Sequence, residues 1–142
     1  MDLRFFDTIT RSKAGVIVKL RDPRTGNDTN AWFRILGPDS DVYREAERKV
    51  FRMRKERMAN SDDDLGTFTD QEKIELVAPC VVYFGDLEEN GDELQFSQAE
   101  VRRVLAKYPV ILRQLDNKIG DARHFLEDVS GNSQASGSIA SG

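Results

Sequence analysis

The residues best suited to chemistry are few. The chain has one histidine, His124, and one cysteine, Cys80. Nucleophilic catalysis on either would need a base and an orienting group within hydrogen-bond reach. No segment resembles a nucleophile elbow. His124 therefore reads as a surface or boundary residue. Cys80, in an apolar run, reads as a small core hydrophobe. A single thiol excludes an internal disulfide and a cysteine-built zinc site. Neither a P-loop nor Gly-x-Gly-x-x-Gly occurs, and Gly26 and Gly37 are isolated turn glycines, so no nucleotide site of the strand–loop–helix kind is expected. Asp86-Leu87-Glu88-Glu89-Asn90-Gly91-Asp92 places oxygen ligands at calcium-loop positions 1, 3 and 5 with Gly at 6. The bidentate carboxylate required at position 12 is replaced by Ser97, so 86–97 reads as an acidic solvated loop. Asp62-Asp63-Asp64 reads the same way. The expectation is no catalytic residue, no cofactor and no metal site: a protein that is not an enzyme.

The clearest binding signal is basic. Arg44, Arg48, Lys49, Arg52, Arg54, Lys55 and Arg57 crowd one stretch, and Arg44, Arg48, Arg52 and Lys55 share one helical face. Such a stripe can neutralise phosphates or meet an acidic protein surface. Glu45, Glu47 and Glu56 are interspersed, and no aromatic platform alternates with the charges. Mixed charges of this kind read first as a solvated helix face; among the binding roles a docking face for a protein is favoured, with nucleic-acid association through 44–57 as the alternative. The totals, 21 basic against 25 acidic side chains for a net charge of −4, argue against a general DNA coat.

These residues must be held by a fold. A length of 142 residues bounds it at one domain. Hydrophobic residues at 39% are lean yet sufficient for a core. No apolar run approaches a membrane span, and the N-terminus lacks the apolar stretch of a signal peptide. The β-branched runs 15–20 and 31–36, separated by Arg21-Asp22-Pro23-Arg24-Thr25-Gly26-Asn27-Asp28-Thr29-Asn30, predict a β-hairpin with a long tip. Leu3, Phe5, Phe6 and Ile9 are expected to help pack it, as a further short strand in one reading. Gly37-Pro38-Asp39-Ser40 stops the sheet, and Asp39 or Ser40 caps a helix over 41–59 with Tyr43, Ala46, Val50 and Met53 inward. Residues 60–67 read as a polar loop. Thr69-Asp70-Gln71-Glu72 is a capping box, after which Ile74, Val77, Val81 and Phe84 fall on one helical face. Pro79 must kink or break it. Helix is favoured through 79–86, with a short strand over 80–84 as the alternative. After a loop at 85–95, Ser97 and Glu100 form a second capping box, with Phe96 and Val101 as its staple. That helix runs to Lys107, before Pro109. A final helix over 110–127 carries Leu112, Leu115, Ile119, Ala122 and Leu126, weakened at Gly120.

The fold class expected is α+β: an N-terminal β-hairpin region (1–38) packed on a helical region (39–128) of about four helices, making a single domain over 1–128. The core is expected to include Val16, Val18, Trp32, Ile35, Val50, Ile74, Val77, Val81, Val104, Leu105, Leu112, Leu115 and Ile119. The segment 129–142 has five serines and three glycines and reads as a flexible tail, because it cannot bury enough apolar surface to offset its chain entropy.

Several stretches, taken in order, resemble one family. They are Gly15 to Leu20 followed by Asp22-Pro23 and Gly26, then Arg34-Ile35-Leu36-Gly37-Pro38-Asp39-Ser40 opening a basic helix. Ala78 to Gly85, Glu89-Asn90-Gly91, Phe96-Ser97 before a helix leading to Tyr108-Pro109, Arg113-Gln114-Leu115-Asp116 and Arg123-His124-Phe125 complete the series. This pattern, over roughly 10–128, resembles the tail assembly chaperones of long-tailed bacteriophages with flexible, non-contractile tails. One departure is Phe84-Gly85 where a Trp-Gly or similar pair would be expected. The resemblance implies a non-enzymatic protein of the infected host's cytoplasm, absent from the mature virion. It implies that the chain binds the tape measure protein, keeps it soluble, helps recruit tail tube protein and self-associates. It also implies a longer product of a programmed frameshift, for which the Ser/Gly tail would serve as linker.

Overall fold

The computed structural model describes residues 1–59 and 67–126. The polar loop read at 60–67, apart from Thr67, and the tail read at 129–142 lie outside the described residues, as does Asp62-Asp63-Asp64. The architecture is mixed α+β. A short helix α1 (Ile9–Ala14) precedes β1 (Val16–Arg21) and β2 (Asp28–Ile35). These two strands are the expected antiparallel hairpin, pairing Val16 with Ile35 and Lys19 with Trp32. Its tip is closed by Asp22, whose carbonyl accepts from Gly26 N–H at 2.8 Å, with Gly26 at φ +76°. That conformation suits the residue without a Cβ.

The favoured helix over 79–86 is not there. Helix α3 (Asp70–Val77) gives way to a 3₁₀ turn at Ala78–Cys80 and then to strand β3 (Val81–Gly85). β3 pairs antiparallel with β2, so the sheet has three strands in the order β1-β2-β3. Pro79 ends the helix, as its chemistry requires, and the free edge of β2 takes up the segment. The register shifts between Arg34 and Ile35, which face Tyr83 and Val81. Val82 is therefore a β-bulge residue. Val81 and Phe84 point inward while Val82 and Tyr83 point out.

Helix α2 (Asp41–Ala59) matches its expected span. Ser40 caps it: its Oγ accepts from Tyr43 N–H at 3.2 Å and donates to the Gly37 carbonyl at 2.7 Å. The Thr69–Glu72 capping box is complete. The second box is only half made. Ser97 Oγ accepts from Glu100 N–H at 3.0 Å at the start of α4 (Gln98–Lys107), but the Glu100 carboxylate turns to Arg103 instead of the Ser97 backbone. The final helix, α5 (Pro109–Ile119), is shorter than expected. It stops at Gly120, and Ala122–Phe125 forms a separate 3₁₀ turn. Ala122, expected on the inward face, is exposed, and Phe125 is buried instead. Within 85–95, Asn90 and Gly91 both adopt positive φ and join two short strands, β4 (Glu88–Glu89) and β5 (Asp92–Glu93), as a tight hairpin.

One cluster of buried side chains joins β1–β3 to α3, α4 and α5. A smaller one seats Ala46 and Val50 of α2 on Leu76, with Tyr43 touching both. Of the expected core, Val16 and Trp32 are only partly buried, and the remainder are buried. Trp32 lies on the opposite face of β2 from Ile35, because residues three apart in a strand face opposite ways. Phe33 holds the inward position. The Trp32 ring instead lies over Gly85, its cross-strand partner, and 5.8 Å from Tyr83. Leu3, Phe5, Phe6 and Ile9 neither pack on the hairpin nor form a strand: all four are exposed, and Leu3–Phe6 is a 3₁₀ turn. The cause is local. Asp2 and Asp7 side chains accept backbone N–H groups of Arg4, Ile9 and Thr10, which competes with strand pairing.

Two carboxylates tie elements together. Burial pushes the buried Glu72 up, but the Thr69 backbone N–H and the Arg57 guanidinium (3.3 Å) outweigh that and hold it below the usual carboxylate range. Glu89 fixes the small hairpin to α4 and to Tyr108 at the α4–α5 corner. It accepts from the Tyr108 hydroxyl and pairs with Arg103 and Lys107, both at 3.0 Å. These donors bring its pKa down to about 2. A carboxylate depressed in the folded state stabilises above its unfolded pKa of about 4.3, and the effect is lost as the pH falls toward 2. The difference in melting temperature between wild type and Glu89→Gln is therefore expected to be largest above pH 5 and to shrink toward pH 2. A difference that is flat across this range would show that the three donors do not act on Glu89.

Candidate functional site

The four residues singled out as a docking face are all on α2, and all are exposed. The helix buries Ala46 and Val50 against α3, and at 100° per residue the basic residues fall on the opposite side. Arg44 lies 3.5 Å from Asp39, and Arg48 2.9 Å from Glu45. Both pairs are solvated, so each is worth at most about 1 kcal/mol and exchanges readily for a partner's carboxylate. Arg52 and Lys55 have no ion-pair partner among the described residues. Lys49 and Arg57, which the charge count alone would add, are turned to Glu75 (3.4 Å) and Glu72 (3.3 Å) on α3. Arg54 stacks on the Phe68 ring, 4.5 Å from its centroid. The tertiary fold thus separates structural cations from available ones.

One exposed aromatic stands at the edge of this face, though no alternating aromatic platform is formed. Phe51 is 48% exposed. It sits three residues after Arg48, seven after Arg44 and four before Lys55, and so shares their face. Sequence reading passed over it because Phe51 follows the inward-facing Val50 directly, and an aromatic there looks like core. The helical wheel was the available signal, since it turns position 51 about 100° away from position 50. Beside this face runs a groove of about 450 Å³ between α2 and Pro79, lined by Val42, Ala46, Lys49, Arg52 and Glu75 among others. Arg52 belongs to both features. A larger concavity lies elsewhere, about 700 Å³ between the β1–β2 tip and the α4–α5 corner, with Leu20, Pro23, Ala31, Leu87, Tyr108 and Ile111 giving it an apolar lining.

The remaining candidates take ordinary places. Cys80 is fully buried, its Sγ 3.7 Å from the Leu76 carbonyl, and burial pushes its thiol up to about 12. A thiol so protonated and enclosed is a packing group. His124 is half-buried on the Ala122–Phe125 turn. Burial, followed by the charge of Lys118, lowers its pKa, against the pull of Asp121 at 3.6 Å. The would-be calcium loop is the β4–β5 hairpin, with Glu89 engaged by Tyr108, Arg103 and Lys107. Among the described residues no group of three or more His, Cys, Asp or Glu side chains is placed to hold a metal ion, and no helix is long and apolar enough to cross a membrane.

With this geometry in view, the chain can be set beside known proteins. No family model, curated protein or solved structure matches it. What the residues define is a mixed α+β fold that presents a basic, aromatic-bearing helix face.

Proposed function

We propose that this chain is a non-enzymatic tail assembly chaperone of a long-tailed, non-contractile bacteriophage. It binds the tape measure protein in the cytoplasm of the infected host, keeps it soluble, helps recruit tail tube protein and leaves before the virion is mature. The order of sequence segments supports this reading. The observation that carries it furthest is the outer face of α2. Arg44, Arg48 and Lys55 lie along one side of exposed Phe51, and Arg52 leads from them to the groove beside Pro79. An apolar anchor bordered by a strip of cations fits an amphipathic client helix that offers an apolar stripe and carboxylates. Several self-associated copies along one long client would add many such weak contacts by multivalency.

Co-expression with the tape measure protein tests the proposal, and co-purification with a gain in client solubility is the expected outcome. The double reversal Arg48→Glu/Arg52→Glu is expected to weaken capture by roughly tenfold or more. Melting should shift by no more than about 2 °C, because surface changes of this kind cost within about 0.5 kcal/mol. Failure of the wild type to capture the client would sink the proposal. Capture that survives the reversal would move the docking site off α2. Steeply salt-dependent binding of duplex DNA, without client capture, would favour the nucleic-acid reading.

A further inference from the structure

A second cationic region is built quite differently from the α2 face. A concavity of about 390 Å³ is lined by Arg11, Gly15, Val16, Ile17, Arg34 and His124. A smaller one of about 220 Å³ shares Ile17 and His124 with it and adds Lys19, Arg21 and Lys118. The protein has a net charge of −4, yet these walls bring together Arg11, Arg34, Lys19, Arg21, Lys118 and His124. The sole carboxylate among the lining residues is Asp28, which already faces Arg21 at 3.6 Å. Asp121 pairs with Arg123 at 2.7 Å and also lies 3.6 Å from His124 Nε2.

The way the two guanidiniums are held matters more than their number. Elsewhere the arginines that bridge elements meet carboxylates: Arg57 on Glu72, Arg102 on Glu75, Arg103 on Glu89. Here Arg34 Nη1 donates to the carbonyls of Ala14 (3.3 Å) and Gly15 (3.2 Å), and Arg11 Nη1 donates to the carbonyl of Leu126 (3.1 Å). Carbonyl oxygens orient a guanidinium but leave its charge uncancelled. One nitrogen of each is used, and each guanidinium has five N–H donors in a planar fork. Arg34 is also fixed from below. It lies on the central strand between Ile17 and Tyr83, half-buried, with its Cγ packed close to where a Gly15 side chain would begin. Two pre-oriented forks facing one concavity are the arrangement that bidentate recognition of an oxyanion uses.

We propose that this pocket binds a tetrahedral, doubly charged oxyanion: inorganic phosphate, or the phosphate of a small phosphomonoester. Arg34 and Arg11 supply the paired donors and His124 lines the same pocket, while Lys118 and Lys19, in the adjoining concavity that shares His124 and Ile17, add positive field. The chain's single histidine makes the test direct, because the ring protons of His124 give one resolvable pair of NMR signals. Titration with inorganic phosphate at constant ionic strength is expected to shift them saturably, whereas sodium chloride over the same range is not. Glycerol 3-phosphate is the second arm. Tighter binding than phosphate identifies a monoester ligand, and equal or weaker binding identifies the free ion. Arg34→Gln and Arg11→Gln should each weaken binding about tenfold, the loss of one charge-assisted donor pair. Arg48→Gln on α2 should leave it unchanged. If Arg34→Gln fails to fold, Arg11→Gln, at an exposed position, carries the comparison. Shifts that do not saturate, that chloride reproduces, or that persist unchanged in the folded arginine variants overturn the proposal.

Discussion

Replacing Phe33 by alanine is expected to cost about 3–5 kcal/mol, a large fraction of the 5–15 kcal/mol typical of a folded domain. Phe33 sits on the central strand and is fully buried. Val18 pairs with it on one side and Phe84 on the other, with the two phenyl centroids 5.6 Å apart. Phe84 in turn meets Phe96 edge-on at 5.4 Å. Truncation removes the middle of this row and leaves a cavity that a hydrogen-bonded strand with neighbours on both sides cannot collapse to fill. Urea unfolding should show a lower midpoint with an unchanged slope, and melting should fall by roughly 10 °C. Phe33→Leu, which keeps most of the volume, should cost less than half as much. A loss below about 1 kcal/mol for Phe33→Ala would mean that β2 is not the buried middle strand.

Gly37→Ala should be the next most damaging change, for a steric reason. A Cβ there would lie 2.6 Å from Phe125 Cδ1 and closer still to Ser12 Oγ. Both neighbours are fully buried and neither has room to retreat. The expected cost is about 1–3 kcal/mol or more. Gly85→Ala makes a useful contrast. Its Cβ would come equally close, 2.5 Å, to the Trp32 ring, but that ring lies on the outer face and is only partly buried, so it can swing aside at smaller cost. The hydroxyl of Ser12 offers an internal check, since it is buried with no hydrogen-bond partner among the described residues. Ser12→Ala removes an unpaired polar atom and should be neutral or stabilising. In the Gly37→Ala background it should recover part of the loss, because it clears one of the two overlaps. A neutral Gly37→Ala would contradict the seating of Phe125 on Gly37.

That seating shows how the two ends of the described chain cooperate. α1 and the Ala122–Phe125 turn meet over Gly37, and Gly37 N–H donates to the Ser12 carbonyl at 2.9 Å. The same junction holds Arg11 and His124 at the oxyanion pocket. Changes at Gly37 should therefore disturb that pocket, and through Ser40, which donates to the Gly37 carbonyl, they also reach the start of α2.

Much of this was legible in the residues. Capping groups and prolines act over a few bonds, so Ser40, Thr69, Ser97, Pro79 and Pro109 each mark a boundary that the fold respects. The β1–β2 hairpin follows from two β-branched runs around a Gly-Asn turn. The basic face of α2 follows from helical periodicity alone. The errors arose where distant segments decide. Ile74, Val77, Val81 and Phe84 carry spacings of three and four, the helical signature, yet the last two lie in a strand. The Val82 bulge inserts one outward residue and so stretches the inward spacing of β3 from two to three. A bulge is fixed by the register of the partner strand, and β2 lies more than forty residues upstream. The chain of local chemistry likewise ended α5 at the wrong place, because burying Phe125 against Gly37 and Ser12 favours a 3₁₀ turn over more helix. Local sequence determined where elements begin and which cations line one helix. Only the tertiary structure decided which cations stay available, because a guanidinium is neutralised by whatever the fold places beside it: carboxylates for Arg57, Arg102 and Arg103, carbonyl oxygens alone for Arg11 and Arg34.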